Sequence, residues 1–334
     1  MERQCARFVA RDLLKWLFAP VPRGRIAIFR AIVYLFVAAD LVVFTPWVRS
    51  HAAVDGALYQ PLWIGRVLHL PTPTPLLVNG TFWLLLIIAL AAATGRAPRL
   101  LGWTVFLLYF EWMIIAMSYG KVDHDRFAFL VALAVLPTLG AARWRDRTPD
   151  ERAGWALRMV QLAVVATYFL AAWSKLRFGG FEWMTGSVLA RAILRRGTDL
   201  ADLIAPIPGL LIAAQIGIMS FELLSPLIFM IPDRWRRWAV VYFYSFHLVT
   251  ISMITISFAP HLVAMLSFLP LEKAADRVAR RLSAKFSNRR ESVAGVGLPV
   301  LLGEVGGHGI EAREGPAEGA GTGGHRPQVD EVAK

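Results

Sequence analysis

The chain has 334 residues, of which 56% are hydrophobic and only 18% charged, and it carries a formal net charge of +12. Soluble domains hold roughly 25% charged residues, so a mean hydropathy of +0.51, with the charge gathered between long apolar runs, points to lipid as the solvent. The single cysteine, Cys5, excludes an intrachain disulfide framework. The excess of Lys and Arg follows the loops, as in cytoplasmic segments of membrane proteins, and forms no nucleic-acid-binding module.

In chain order, residues 1–25 interleave Arg3, Arg7, Arg11, Lys15, Arg23 and Arg25 with Phe8, Leu13, Trp16 and Leu17. This pattern predicts an amphipathic helix on the cytoplasmic leaflet, ended by Pro20 and Pro22. Its apolar stretch is too short and too charged for a cleaved signal. A first span follows over 26–44, then a long outer loop whose Trp47, Tyr59 and Trp63 suit the interface. Spans are expected over 76–94, 100–118, 127–139, 155–176, 203–231, 238–256 and 258–271. The fourth and eighth of these eight spans are short, and the sixth contains Pro206, Pro208 and Pro226, the last of which predicts a kink. Residues 272–290 read as a basic surface helix. Residues 291–334, rich in Gly and Glu, read as a disordered cytoplasmic tail.

The bases test this layout. Clusters lie at 3–25, 96–99, 143–158, 234–237 and 273–290, all on one side of an eight-span arrangement, whereas the other side carries scattered bases such as Arg49, Arg66 and Lys121. The bias places both termini in the cytoplasm. The expected fold is thus an all-α integral membrane protein, a multi-pass bundle of about eight transmembrane helices in the cytoplasmic membrane, with residues 26–271 as its membrane domain.

Ionisable groups in hydrocarbon cost about 2.5–3.5 kcal/mol on insertion scales, so each asks for a reason. Lys175 ends the fifth span, seven residues after Tyr168 and on the same helix face. Ala171 and Ala172 between them allow another helix to come close. The lysine is either a snorkelling cation or a partly buried amine able to accept a proton. His247, amid Tyr242, Tyr244, Ser245 and Thr250, is either an imidazole satisfied by a neighbour or a proton relay. His124 sits in Asp123–His124–Asp125, either a solvated loop or the start of a metal site with no second ligand pair in view. Glu111 and Glu222 pair with bases or line a polar cavity, and Asp40, near the end of its span, is expected to reach water. With Lys175 and His124 at the same end, a polar pocket facing outward is expected. No phosphate-binding loop, dinucleotide fingerprint, GxSxG or HExxH is present.

Three strings then act together: Asp123-His124-Asp125, the run Tyr168-Phe-Leu-Ala-Ala-Trp-Ser-Lys175-Leu176 followed by Trp183 and Gly186, and Tyr244-Ser-Phe-His247. In this order and spacing the chain, over roughly residues 20–272, resembles the horizontally transferred transmembrane domain family, which includes the membrane domain of vitamin K-dependent gamma-carboxylase. The resemblance implies a carboxylase-like carbon–carbon lyase with a reduced vitamin K-type quinone as cofactor. Oxidation of that quinone is coupled to proton abstraction from a glutamate, and carbon dioxide adds to the carbanion. It implies Lys175 as the base, His124 and His247 as further catalytic groups, and Tyr168 and Trp183 on the cofactor side. The large luminal domain of the carboxylase has no counterpart here, so binding of a propeptide-bearing protein is not implied. Two other classes stay open on the residues: a non-catalytic membrane partner, immunity-type protein or lipid-binding scaffold, and, below it, a transporter suggested by the interrupted sixth span.

Overall fold

The computed structural model describes residues 11–294. Residues 1–10 and 295–334, and with them most of the expected tail, lie outside the described residues. The chain divides into two units after Arg281.

A short helix, α1, covers residues 11–17. A two-residue strand, β1 (Val21–Pro22), pairs antiparallel with β2 (Pro149–Asp150). The long helices α2 (Arg23–Ala39) and α7 (Glu151–Gly179) leave this small sheet side by side. The α7 start is capped by the Asp150 carboxylate, which accepts from Arg152 N and Ala153 N. Between them come α3 (Trp63–Val67), α4 (Pro75–Ala93), α5 (Pro98–Met117) and α6 (Phe127–Val135). Helices α4 and α5 each place proline at the first position, where the missing N–H costs nothing. After α7 follow α8 (Ser187–Arg196), α9 (Asp199–Asp202), α10 (Pro208–Leu224), α11 (Asp233–Ile254), α12 (Ala259–Met265) and α13 (Leu271–Ala294).

Five segments are long and apolar enough to cross a membrane: Arg23–Phe44, Pro75–Ala93, Pro98–Met117, Glu151–Met184 and Pro208–Phe229. Helix α4 shows why. It buries Val78, Phe82, Leu85 and Ala89 yet leaves Leu76, Trp83, Ile87 and Leu90 exposed, and a helix apolar all round is suited to lipid. The expected fourth and eighth spans are broken into short pieces. Helix α6 passes into a 3₁₀ turn at Leu136–Thr138, where Pro137 cannot continue the α-helical ladder, and α12 passes into another at Leu266–Phe268. The expected sixth span is helix α10, which starts at Pro208 rather than 203. Pro226 does not kink it but lies in the 3₁₀ turn Ser225–Phe229 that ends it.

The main core joins α2, α4, α5, α6 and α7, with Phe29, Tyr34, Trp112 and Phe129 fully enclosed. Arg30, also buried, donates to the carbonyls of Leu136, Leu139 and Gly140 and so closes the end of the short sixth helix. A smaller cluster of Ile193, Ala201 and Leu211 roofs the far end beneath α8 and α9.

Asp40 does not reach water. Helix α2 widens into a π turn over Asp40–Phe44, and the Asp40 side chain is fully buried. Arg126 Nη1 donates to Asp40 Oδ2 at 2.8 Å and to the Tyr109 hydroxyl at 2.8 Å, and Tyr109 donates to Asp40 Oδ2 at 3.0 Å. Thr45 accepts from Trp112 Nε1 at 3.0 Å, and its hydroxyl donates to the Asp40 carbonyl at 2.9 Å. Removing one member of a buried pair strands the other. Arg126→Met is therefore expected to cost about 3–5 kcal/mol, read as a large fall in the melting temperature of the detergent-solubilised protein. Adding Asp40→Asn should recover part of it. An unchanged melting temperature in Arg126→Met would show that the pair does not hold the bundle.

Candidate functional site

The site is built on one face of α7. Tyr168, Ala171, Ala172 and Lys175 follow the i, i+3, i+4, i+7 pattern, and the two alanines leave room for α10 and α12 to approach. The Tyr168 hydroxyl lies 2.5 Å from His247 Nε2 of α11 and 3.4 Å from Met265 Sδ of α12. His261, at the start of α12, stands edge-on to Tyr168 with ring centres 4.7 Å apart and lies 5.6 Å from His247. Both histidines are buried, His247 at 3% and His261 at 1% exposure. His247 Nδ1 and both nitrogens of His261 are enclosed and have no hydrogen-bond partner. Buried polar atoms are nearly always paired, so three such nitrogens around one tyrosine mark a place built for polar contact. When Tyr168 donates to Nε2, the proton of His247 rests on Nδ1.

Lys175 is held in an ion pair. Its Nζ donates to both carboxylate oxygens of Glu222 on α10, at 2.9 and 2.6 Å. The chain reverses just beyond, where Gly180 takes a φ of +61° that favours glycine. The following turn brings the Trp183 ring to 5.6 Å from the ammonium, within cation–π range.

His124 and Asp125 arrive on the 3₁₀ turn His124–Arg126. The turn is pinned because Arg126 plunges from it into the Asp40–Tyr109 network. His124, Asp125, Tyr168, Lys175, Glu222, His247 and His261 all border one small chamber of about 100 Å³. Burial, followed by the Lys175 charge, holds His124 below the usual imidazole value. Burial pushes the Asp125 carboxyl up to about 6 against the pull of Arg126, with Asp123 adding to the rise.

A second, apolar cavity of about 510 Å³ adjoins the chamber and shares Lys175, Glu222, Phe246 and Phe258 with it. Its walls are Trp183, residues of α8 such as Leu189 and Ile193, and the facing sides of α10 and α11. Helix α8 is anchored at both ends. Gly186, at φ +82°, starts it against Leu211 and Ile212, and Leu189 N donates to the buried Gln215 Oε1 at 3.1 Å. Beyond its other end Thr198 N donates to Met253 O at 3.1 Å, and the Thr255 hydroxyl to Arg196 O at 3.2 Å.

The structure thus brings together Lys175, His247, His124 and Tyr168, with Trp183 stacked behind the lysine. Asp40, expected in the same pocket, lies behind Arg126 and does not line it. Glu111 also stays apart: both its carboxylate oxygens are enclosed without a partner, elsewhere on α5. His261 is the residue that sequence reasoning missed. The only signal was an imidazole directly after Ala259–Pro260 in an otherwise apolar run. Among the described residues no group of three His, Cys, Asp or Glu side chains could hold a metal ion, so Asp123–His124–Asp125 does not form one. No protein-family model, curated protein or solved structure matches this chain.

Two outcomes follow from the geometry. Lys175→Met and Glu222→Gln should each lower the melting temperature, and the double variant should lose less than the two losses combined, because neither partner is left charged and alone. Strict additivity would show the pair to be uncoupled. Asp125, whose carboxyl rises from 3.8 to about 6 in the folded protein, favours folding while protonated. Its contribution is present below about 4 and is lost as pH rises through about 6. Melting temperature should therefore fall more over this window in the wild type than in Asp125→Asn. Parallel curves would rule out a buried acid there.

Proposed function

We propose that the chain is a membrane enzyme that binds a quinone or similar lipid and moves protons at its head group, with Lys175 as the base. One observation carries the proposal. The polar chamber holding Lys175, His247, His261 and Tyr168 adjoins a cavity of about 510 Å³ lined mainly by apolar residues. That is the size and chemistry of a site for a ligand with a polar head and an apolar body. Soluble substrates have no use for the second half of it.

The residues divide the work. Trp183 and Phe246 cover the ligand side of Lys175. As a base Lys175 must first lose its proton, and Glu222, touching Nζ with both oxygens, stabilises the ammonium until a bound head group displaces that contact. The Tyr168–His247 hydrogen bond relays a proton away from the chamber or back to it, and His124 stands at its mouth. The unpaired nitrogens of His261 and His247 fit a head group with both donors and acceptors. A reduced vitamin K-type quinone would supply the redox chemistry of the carboxylase-like reaction that the sequence resemblance implies.

The starts of α2 and α7 meet at the β1–β2 pairing, and Arg25 of α2 holds Glu272 of α13 through two hydrogen bonds of 2.8 Å. The three segments therefore share one end of the bundle, which requires an even number of crossings between them. We infer four crossings in each interval, counting the two short segments and also α11, which is not among the five long apolar segments; this gives eight spans with both termini in the cytoplasm, the side favoured by the basic clusters.

The test is mass spectrometry of lipids that copurify with the full chain in mild detergent. A stoichiometric quinone or prenyl lipid is expected in the wild type, and about tenfold less in Lys175→Ala. The Lys175→Met, Glu222→Gln double variant separates loss of the site from loss of fold. A protein that retains no such lipid even after reduced quinone is added in excess would overturn the reading.

A further inference from the structure

Helix α7 carries a second stripe beside the one that holds Tyr168 and Lys175. Thr167, Leu170, Ala171 and Ser174 recur at i, i+3, i+4 and i+7. With Val122 and His124 from the facing turn they line a third cavity, of about 400 Å³. It joins the polar chamber, with which it shares His124, Thr167, Ala171 and Lys175. Among the described residues Lys175 alone borders all three cavities. The amine is thus approached from two sides, by the apolar cavity past Trp183 and by this one past His124.

The two approaches differ in chemistry. The apolar cavity is walled by α8, α10 and α11, mainly with aliphatic and aromatic side chains. Half of the residues around the third cavity are polar, namely Thr167, Ser174, His124 and Lys175, and one wall is a turn rather than a long helix. On either side of Val122, Lys121 and Asp123 form an ion pair of 2.7 Å with the lysine side chain 74% exposed, an arrangement suited to water and costly in hydrocarbon. Lys175 itself has a donor to spare. An ammonium carries three N–H groups. Two go to the Glu222 oxygens, and the third has no hydrogen-bond acceptor among the described residues.

We propose that the third cavity is a water-filled vestibule that joins the Lys175 amine to the aqueous phase, while the apolar cavity joins it to lipid. This rests on the reading of Lys175 as the base at a lipid head group, and it adds the route by which that base is reset. When the head group displaces Glu222 from the ammonium, an Nζ–H proton passes to a vestibule water. The bonding electron pair stays on nitrogen, and the hydronium formed exchanges with bulk solvent. The neutral amine then takes a proton from the head-group hydroxyl and returns it to water in the same way. Water reaches the base without entering the space that holds the lipid chain. Thr167 marks the inner end of the route, two helical turns or about 10 Å along α7 from Ser174 at the mouth.

The experiment is cysteine labelling of the full chain in native membranes opened to both faces. Cys5 is the single native thiol, so a Cys5→Ser background is silent. Ser174→Cys and Thr167→Cys are exposed to the charged reagent methanethiosulfonate ethyltrimethylammonium. The references are Ala192→Cys in the apolar cavity and Leu84→Cys on an exposed face of α4. Both vestibule thiols should react about a hundredfold faster than the two references, because a charged reagent and a thiolate are alike excluded from hydrocarbon. Ala171→Cys, which borders chamber and vestibule, takes the place of Thr167→Cys if the latter does not fold. Protection of the inner thiol, in a variant that melts as the wild type does and labels fully once denatured in SDS, would overturn the vestibule and leave the lipid site standing. Reaction of Ala192→Cys as fast as Ser174→Cys would instead show the apolar cavity to be wet, and would remove the lipid site and the two-phase arrangement with it.

Discussion

The ion pair between Lys175 and Glu222 is the constraint around which the rest is arranged. A partly buried ammonium and carboxylate within an apolar bundle are better tolerated together than apart. Each therefore dictates where the helix bearing the other must lie. The pair draws α10 against the face of α7 that carries Tyr168. It also stands where the polar chamber and the apolar cavity meet, so any molecule bridging the two spaces touches it. Trp183, on the turn after α7, shields the ammonium on one side.

The Asp40–Arg126 pair is the instructive contrast. It is more deeply buried, and its shared oxygen is hydrogen-bonded within the protein by Arg126 and Tyr109. It lines none of the cavities described above, and its effect is to fix the turn that carries His124 and Asp125. The Lys175 pair has cavities beside it and is surrounded by imidazole nitrogens with nothing to bind. The difference does not lie in satisfaction, because Asp40 Oδ1 is also enclosed without a partner, but in the open space beside Lys175. Two ion pairs of the same chemistry thus fall into different roles because of what surrounds them.

Much of this was legible in the sequence, where local pattern suffices. Tyr168 and Lys175 share a face because seven residues make two helical turns, and the apolar lengths of α2, α4, α5, α7 and α10 announce helices suited to a bilayer. What could not be read was set by contacts distant in the chain. Asp40 looked like a residue near a helix end, and only the arrival of Arg126 from 86 positions away makes it a buried core group. His261 was invisible because its meaning comes from standing beside Tyr168 and His247. The end of α10 differs from expectation for a local reason: Pro226 lies in a 3₁₀ turn that ends the helix instead of kinking a continuing one, and Pro137 ends α6 in the same way.

The central claim, that chamber and cavity are the two halves of one lipid site, is open to direct inspection. The measurement is an electron cryomicroscopy map of the full chain, extracted with its native lipids into nanodiscs and resolved well enough to trace a lipid chain. The account expects elongated density with its head among Lys175, His247 and His261 and its body in the cavity between α8, α10 and α11. A map in which lipid density lies only on the outer surface of the bundle, while side chains close the cavity, would contradict it.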